Sequence, residues 1–262
     1  MEIVSNRLLR IVGALVKLVG YIFHFIFPKY RFKIPKQKDP LIPNNKKTTI
    51  PKILWQTNYS DMVSLPVYLN YCLNRVFSLG YEYRYFSNED CLNFIEENGD
   101  KETIEAYKHL KDGASKADFW RMFVLDKIGG VYLDMDGHFV WPISKILGDK
   151  TTKELFVVPR RDIYTNYFLA SKANSPILQK AIKIAIKNIQ DAVQGKRDKL
   201  SVYKLTGPAT IVEAIGKKRV NSKIYKKVCI QGNLTNEHFQ YIDKKNGKWT
   251  HTKSDDILTT PL

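Results

Sequence analysis

From residue 50 onward, apolar and polar positions follow two rhythms, one strand-like and one helix-like. "KILWQ" (52–56) is a short apolar run before a polar turn, which predicts a buried first strand. Residues 66–79 carry apolar residues at helical spacing and stop at Gly80, a suitable helix-terminating glycine. "YEYRYF" (81–86) alternates as a strand does. "SNEDCLNFIEENG" then predicts a short helix capped by Ser87 or Asn88 and ended by Gly99. A longer helical pattern covers about 114–128 and ends at Gly129. "VYL" and "ELFVVP" read as strands, and "SPILQKAIKIAIKNIQDA" as a helix with Ser175 as cap and Pro176 in its first turn. Strands and helices alternate, so the pattern predicts an α/β sheet with helices on both faces.

The N-terminal part follows a different pattern. Residues 8–27, "LLRIVGALVKLVGYIFHFIF", are almost wholly apolar, yet Arg10, Lys17 and His24 recur every seven residues. On a 3.6-residue helix they fall along one narrow stripe, with Asn6 and Arg7 on or near it. Lys17 and the lack of a small-residue cleavage site argue against a cleaved signal peptide, and the charges argue against a simple span. The pattern favours residues 1–28 as a membrane-associating helix lying in the interface, apolar face down and cations toward lipid phosphates. A helix packed on the protein's own core and a tilted span are the other readings. Residues 29–49 read as a basic, proline-punctuated linker that adds attraction to anionic lipid, and 50–262 as the folded domain.

Composition narrows the class. The chain has 262 residues, 44% apolar and 12% aromatic, enough for one sizeable core. Its net charge of +16 implies nucleic acid, an anionic membrane or anionic small substrates as partners. No zinc-finger spacing or aromatic-basic RNA-binding signature is present, so a nucleic-acid partner is not expected. Cys72, Cys91 and Cys229 are widely spaced, as buried free thiols in a reducing compartment would be.

The candidate chemistry centres on "GGVYLDMDGHFV" (129–140). If 131–136 is extended, Tyr132, Asp134 and Asp136 point to one side and Val131, Leu133 and Met135 to the other. Two acids at the carboxyl end of a buried strand repel one another unless a cation sits there, and hard oxygens suit Mg²⁺ or Mn²⁺. Such a cation could neutralise a departing diphosphate. The preceding helix is apolar on nearly all sides, yet carries Ser115, Asp118 and Arg121 on one stripe. That stripe is either an internal Asp–Arg pair or a cleft-facing group that binds sugar hydroxyls and phosphate.

"IPKILWQTN", "ASKADFWRMFVLDKIGGVYLDMDG", "NYFLASKANSPILQKAI" and "TGPATIVEAI", in that order, resemble the DXD-containing sugar transferases of glycosyltransferase family 32. That family includes fungal α-mannosyltransferases and bacterial capsule and surface-polysaccharide enzymes. The same blocks are similar to the glucosylating domains of large clostridial toxins. The likeness covers most of residues 50–216. It implies a GT-A type nucleotide-sugar-binding fold with a Rossmann-like central sheet, a UDP- or GDP-sugar donor, a divalent metal and retention at the anomeric carbon. By position, Asp134 would lie near ribose and metal, Asp136 would ligate the metal, and Asp118 and Arg121 would bind the donor sugar. Leu54, Trp55, Gln56 and Thr57 would lie along the nucleotide; Trp55 stands where the family often has a histidine. The "TGP" at 206–208 would lead into a helix near the acceptor. A further metal contact from near the chain end is expected at His251, with His238, Trp249, Ser254, Asp255 and Asp256 as alternatives.

These readings combine into a retaining, metal-dependent hexosyltransferase acting on a glycan or glycolipid hydroxyl in surface or capsular polysaccharide synthesis. High lysine and isoleucine usage suggests a bacterial source, and so the cytoplasmic face of the cell membrane, with the Golgi membrane as the eukaryotic alternative. A metal-dependent phosphoryl hydrolase or nuclease would also use a basic surface and paired acids, and a non-catalytic membrane scaffold would need neither acid.

Overall fold

In the computed structural model, residues 2–43, 47–160, 163–196, 201–244 and 247–259 are described. The chain opens with a 25-residue helix α1 (Glu2–Ile26), then two short strands, β1 (Phe32–Lys33) and β2 (Gln37–Lys38). Next come β3 (Ile53–Thr57), β4 (Met62–Val63), α2 (Leu65–Phe77) and β5 (Glu82–Phe86). Helices α3 (Asn88–Asn98), α4 (Lys101–His109) and α5 (Gly113–Lys127) precede β6 (Gly129–Leu133) and β7 (Gly137–Phe139). After α6 (Ile143–Leu147) come β8 (Glu154–Arg160), β9 (Ile163–Lys172) and α7 (Pro176–Val193). The chain finishes with α8 (Val202–Leu205), α9 (Pro208–Ile215), β10 (Ser222–Ile224), β11 (Cys229–Gln231) and α10 (Glu237–Gln240), plus short 3₁₀ turns.

Seven strands form one mixed sheet in the order β10-β8-β9-β6-β3-β5-β2. The run β6-β3-β5 is parallel, whereas β9 lies antiparallel between β6 and β8. Helices cover both faces, as the alternation predicts. On one face Trp55, Tyr132, Phe156 and Leu169 pack against α3, α4, α5, α7 and α9. On the other, Leu54, Val131, Leu133 and Phe168 pack with residues of α2, β7 and α6. The strand alternation in 131–135 holds: Tyr132 joins the first core, and Val131, Leu133 and Met135 join the second.

The predicted caps hold where side-chain chemistry dictates them. Ser87 accepts from the Asp90 amide in a reciprocal capping box, and Ser175 accepts from Leu178 N ahead of Pro176. Gly130 is fixed by crowding as well as by its backbone. Its φ is +118°, and an added Cβ would sit 2.7 Å from Trp55 Nε1 and 2.8 Å from Ile53 O. We expect Gly130→Ala to cost about 2 kcal/mol, read as a lower urea midpoint; an unchanged midpoint would contradict this packing.

Two expectations for the N-terminal region need correction. Residues 29–49 are not a free linker. Ile34 is buried, β1 pairs with β4, and β2 forms the edge of the main sheet beside β5. The polar stripe of α1 faces outward only in part: Arg7 and Arg10 are exposed and Lys17 is half-buried. Asn6 and His24 are buried against the domain, where His24 Nε2 accepts from the Leu65 amide at 3.0 Å. Gly13 and Gly20 share that buried face, because they let the backbone approach Asn233 and Pro66 closely. Asn6, Gly13, Gly20 and His24 on one stripe were the signal for docking of this face.

Candidate active site

The turn that follows β6 carries Asp134 and Asp136, and it is held from several sides. Gly137 N donates to Asp134 O at 2.9 Å, and Asp134 N donates to Tyr167 O at 2.8 Å. From α2, Asn70 Nδ2 donates to Met135 O (2.8 Å) and Gly137 O (2.7 Å). Asn74 Nδ2 donates to Gly137 O, and its Oδ1 accepts from Phe139 N. Asn70 and Asn74 are fully buried, a costly placement that these bonds offset for every polar atom of the two side chains except Asn70 Oδ1. Their effect is to fix the two acids in place before any ligand arrives.

Helix α5 supplies the opposing charge. Asp112 caps it by accepting from Ser115 N, which sets the register that brings Asp118 and Arg121 to the acids. Arg121 Nη2 lies 3.2 Å from Asp118 Oδ1 and 2.9 Å from Asp134 Oδ1. Nη1 donates to Asn166 O at 2.9 Å, and the guanidinium carbon sits 4.5 Å from the Tyr132 ring centre. Asn166 Nδ2 donates to Asp118 Oδ1, and Tyr132 Oη donates to Asp134 Oδ1 at 2.7 Å. Asp118 and Arg121 pair internally and also line the same cavity as the acids. Ser115, on the same stripe, is buried and does not line it.

One guanidinium faces three carboxylates. Burial pushes Asp136 up to about 7, and neighbouring Asp134 adds to the rise. Burial pushes Asp118 up to about 7 as well, against the pull of Arg121. Asp134 is also raised by burial, with Arg121 and Tyr132 opposing. For Arg121, burial acts to lower the pKa, but the surrounding acids outweigh it and keep the group charged. Across the acid pair, Gln231 Nε2 donates to Asp134 Oδ2 (3.3 Å) and Asp136 Oδ1 (3.1 Å). The amide sits between the two carboxylates, where a positive group is favoured.

These residues line a cavity of about 710 Å³. Its walls also include Thr57, Tyr59, Tyr203, Pro208, Tyr241 and Lys244. Tyr59 and Tyr241 stack at 6.0 Å with an interplanar angle of 23°.

Other expected site residues fall elsewhere. Of "LWQT", only Thr57 reaches the cavity. Leu54 and Trp55 are fully buried on opposite faces of central strand β3, with Trp55 Nε1 donating to Gly129 O at 2.9 Å. Gln56 is buried too and donates to Leu133 O. His251 does not line the cavity and pairs with Glu237 at 2.6 Å. His238 stacks on Tyr21, and Asp256 lies 3.4 Å from Lys111. Neither His238, Asp256 nor Ser254 lines the cavity, and the side chains of Trp249 and Asp255 lie outside the described residues. Among the described residues, no group of three or more His, Cys, Asp or Glu is arranged to cage a metal. The "TGP" loop does reach the cavity, through Pro208 at the start of α9. Sequence reasoning missed Gln231, Asn70, Asn74 and Asn166; all four act across 48 or more residues of chain, which no local pattern records.

With this geometry in place, comparison with known proteins identifies the chemistry it resembles. Residues 66–153 match the family model described as "Glycosyltransferase sugar-binding region containing DXD motif". That span holds Asp118, Arg121, Asp134 and Asp136. A relative, an uncharacterized glycosyltransferase of Acanthamoeba polyphaga mimivirus, is 28% identical over 186 residues, covering 64% of this chain and 72% of the relative. Among solved structures, the PaToxG glycosyltransferase aligns over 81% of this chain and 79% of its own, with 15% identity and a TM-score of 0.45. The chain is thus similar in sequence to glycosyltransferases, and its fold is a mixed α/β one built on a central mixed sheet.

Proposed function

We propose that this protein is a metal-dependent glycosyltransferase of GT-A type, moving a sugar from a UDP- or GDP-sugar to a hydroxyl of a glycan or glycolipid with retention. The observation that supports it most is the pairing of Asp118 and Asp134 with Arg121, with Asp136 beside them in one cavity, inside the segment that matches DXD glycosyltransferases. Surface or capsular polysaccharide synthesis at the cytoplasmic face of a membrane is the setting we assign.

The donor set fits a divalent cation. Asp134 and Asp136 offer hard carboxylate oxygens, and the excess of acid over Arg121 favours an added positive charge. Two carboxylates with no third His, Cys, Asp or Glu grouped with them among the described residues suit an ion that shares its coordination with substrate phosphates. Held there, such an ion supplies charge neutralisation for a leaving diphosphate.

The chain's own residues do the rest. Arg121 holds Asp118 and Asp134 in fixed orientation, and Asp118 accepts donor-sugar hydroxyls. The stacked Tyr59–Tyr241 pair, not Trp55, provides the flat aromatic wall for a nucleobase, with Lys244 beside it. In the transfer, the anomeric carbon–diphosphate bond breaks and its electron pair leaves with the diphosphate. The acceptor oxygen bonds to that carbon from the same face, and its proton passes to the departing phosphate.

The test is a panel of UDP- and GDP-sugars, with and without Mn²⁺, assayed for donor turnover. Mn²⁺-dependent turnover of one donor class is expected. Flat results across the panel with folded protein would contradict the assignment.

A further inference from the structure

The outward face of α1 has no partner among the described residues. Leu8, Ile11, Leu15, Leu18, Ile22 and Phe25 are exposed, Phe25 by 88%. They project from a helix whose opposite face is fastened to the domain from end to end. Ser5 Oγ donates to Val140 O, and Asn6 Nδ2 donates to Lys226 O. Asn233 Nδ2 donates to Leu9 O, Asn236 Nδ2 to Tyr21 Oη, and the Leu65 amide to His24. Leu9 packs with Val140 and Ile230. Val4–Ile26 is long and apolar enough to cross a membrane, yet spanning would strip away contacts placed along its whole length.

Charge identifies the occupant. The first 38 residues hold eight lysines and arginines against one acid, Glu2. By helical spacing, Arg7, Arg10 and Lys17 fall along one flank between the docked stripe and the apolar face. From that flank their long side chains reach phosphates while the apolar face enters the acyl region. A second copy of this chain would bring the same cationic flank against itself.

We propose that α1 is an in-plane membrane helix: its polar and glycine stripe is bonded to the domain, and its outward face is seated in an anionic lipid bilayer. The segment from Gln231 to Gln240 contacts α1 on one side and lines the cavity on the other. The cavity is therefore held one layer of chain away from the lipid surface. This inference rests on α1 alone and stands whether or not the chain transfers sugar.

The experiment is flotation of the full chain with phosphatidylcholine vesicles, with and without phosphatidylglycerol. Wild type is expected to float, more strongly with the anionic lipid and less at high salt. The triple variant Leu8→Glu, Leu15→Glu and Ile22→Glu changes only exposed positions, so it should keep the wild-type melting temperature and lose roughly tenfold or more in partitioning. Depth separates the two membrane geometries. In a Cys72→Ser background, a fluorophore on Val4→Cys, Leu15→Cys or Ile22→Cys should be quenched by brominated lipids at one shallow depth. A depth that peaks at Leu15 and falls toward Val4 would mean a spanning helix and overturn the proposal. A discrete dimer that ignores vesicles, and that the triple variant dissociates, would overturn it too.

Discussion

Asp136→Asn should lower sugar transfer by at least ~10²-fold while making the metal-free protein more stable above pH 7. The two effects share one cause. Asp136 lies in a buried acid cluster where burial and Asp134 push its carboxyl up to about 7. In the unfolded chain an aspartate titrates near 3.8. Between those values the folded form binds the extra proton, so the group's contribution to stability is present below about 4 and is lost as pH rises through 7. Asparagine keeps the shape and the Gln231 neighbourhood but cannot ionise. We expect its melting temperature to exceed wild type by roughly 2–4 °C at pH 8, with the gap closing as pH falls and gone only below about pH 4. A functional site that costs stability is what this cluster would be, and Mn²⁺ should raise the melting temperature of wild type but not of the variant. Full activity in Asp136→Asn would remove the acid from the mechanism. A melting curve that falls at pH 8 would contradict the electrostatic account of the cluster.

Arg121→Met is expected to have the larger effect on folding. Arg121 is nearly inaccessible, and it neutralises Asp118 and Asp134 at 3.2 and 2.9 Å. Removing one side of a buried ion pair commonly costs about 3–5 kcal/mol, because the partner charge remains without compensation. Here two carboxylates are left, and both can escape the cost by taking up protons. The destabilisation should therefore be greatest at pH 8 and shrink as pH falls toward 5, since the carboxyls rise further once the guanidinium is gone. Arg121→Lys keeps a charge but loses the fork that spans Asp118, Asp134 and Asn166 O, so it should fold better than methionine and still transfer poorly. Denaturant unfolding of the three proteins at two pH values reads all of this. A pH-independent loss in Arg121→Met would mean that packing, not charge, was removed.

How much of this was legible in the chain depends on distance along it. The strands around 53–57, 82–86 and 129–133 and the capped helices α3 and α7 follow local rhythm and local side-chain chemistry, and they stand where the pattern puts them. The paired acids were legible because their strand is short, apolar and stops abruptly. Trp55 was misread because β3 is bonded to neighbours on both edges and covered on both faces, so a motif that looks like a ligand-binding edge is interior. Strand β9, the antiparallel intruder that brings Asn166 to Asp118, shows no clean alternation, since its last residues are buried on both faces. His251 was chosen for lying among polar residues late in the chain, and polarity alone could not distinguish a metal ligand from a surface partner of Glu237. Gln231 gave no signal at all; a three-residue strand that returns from nearly 100 positions away brings it to the acids.

The most decisive measurement is calorimetric titration of UDP and GDP into the wild-type protein and into Asp134→Asn and Asp136→Asn, each with and without Mn²⁺. Twin acids that grip a cation shared with a diphosphate predict nucleotide binding to wild type that strengthens at least ~10-fold with Mn²⁺, and no such gain in either variant. Binding that is indifferent to Mn²⁺, or equal in all three proteins, would contradict it.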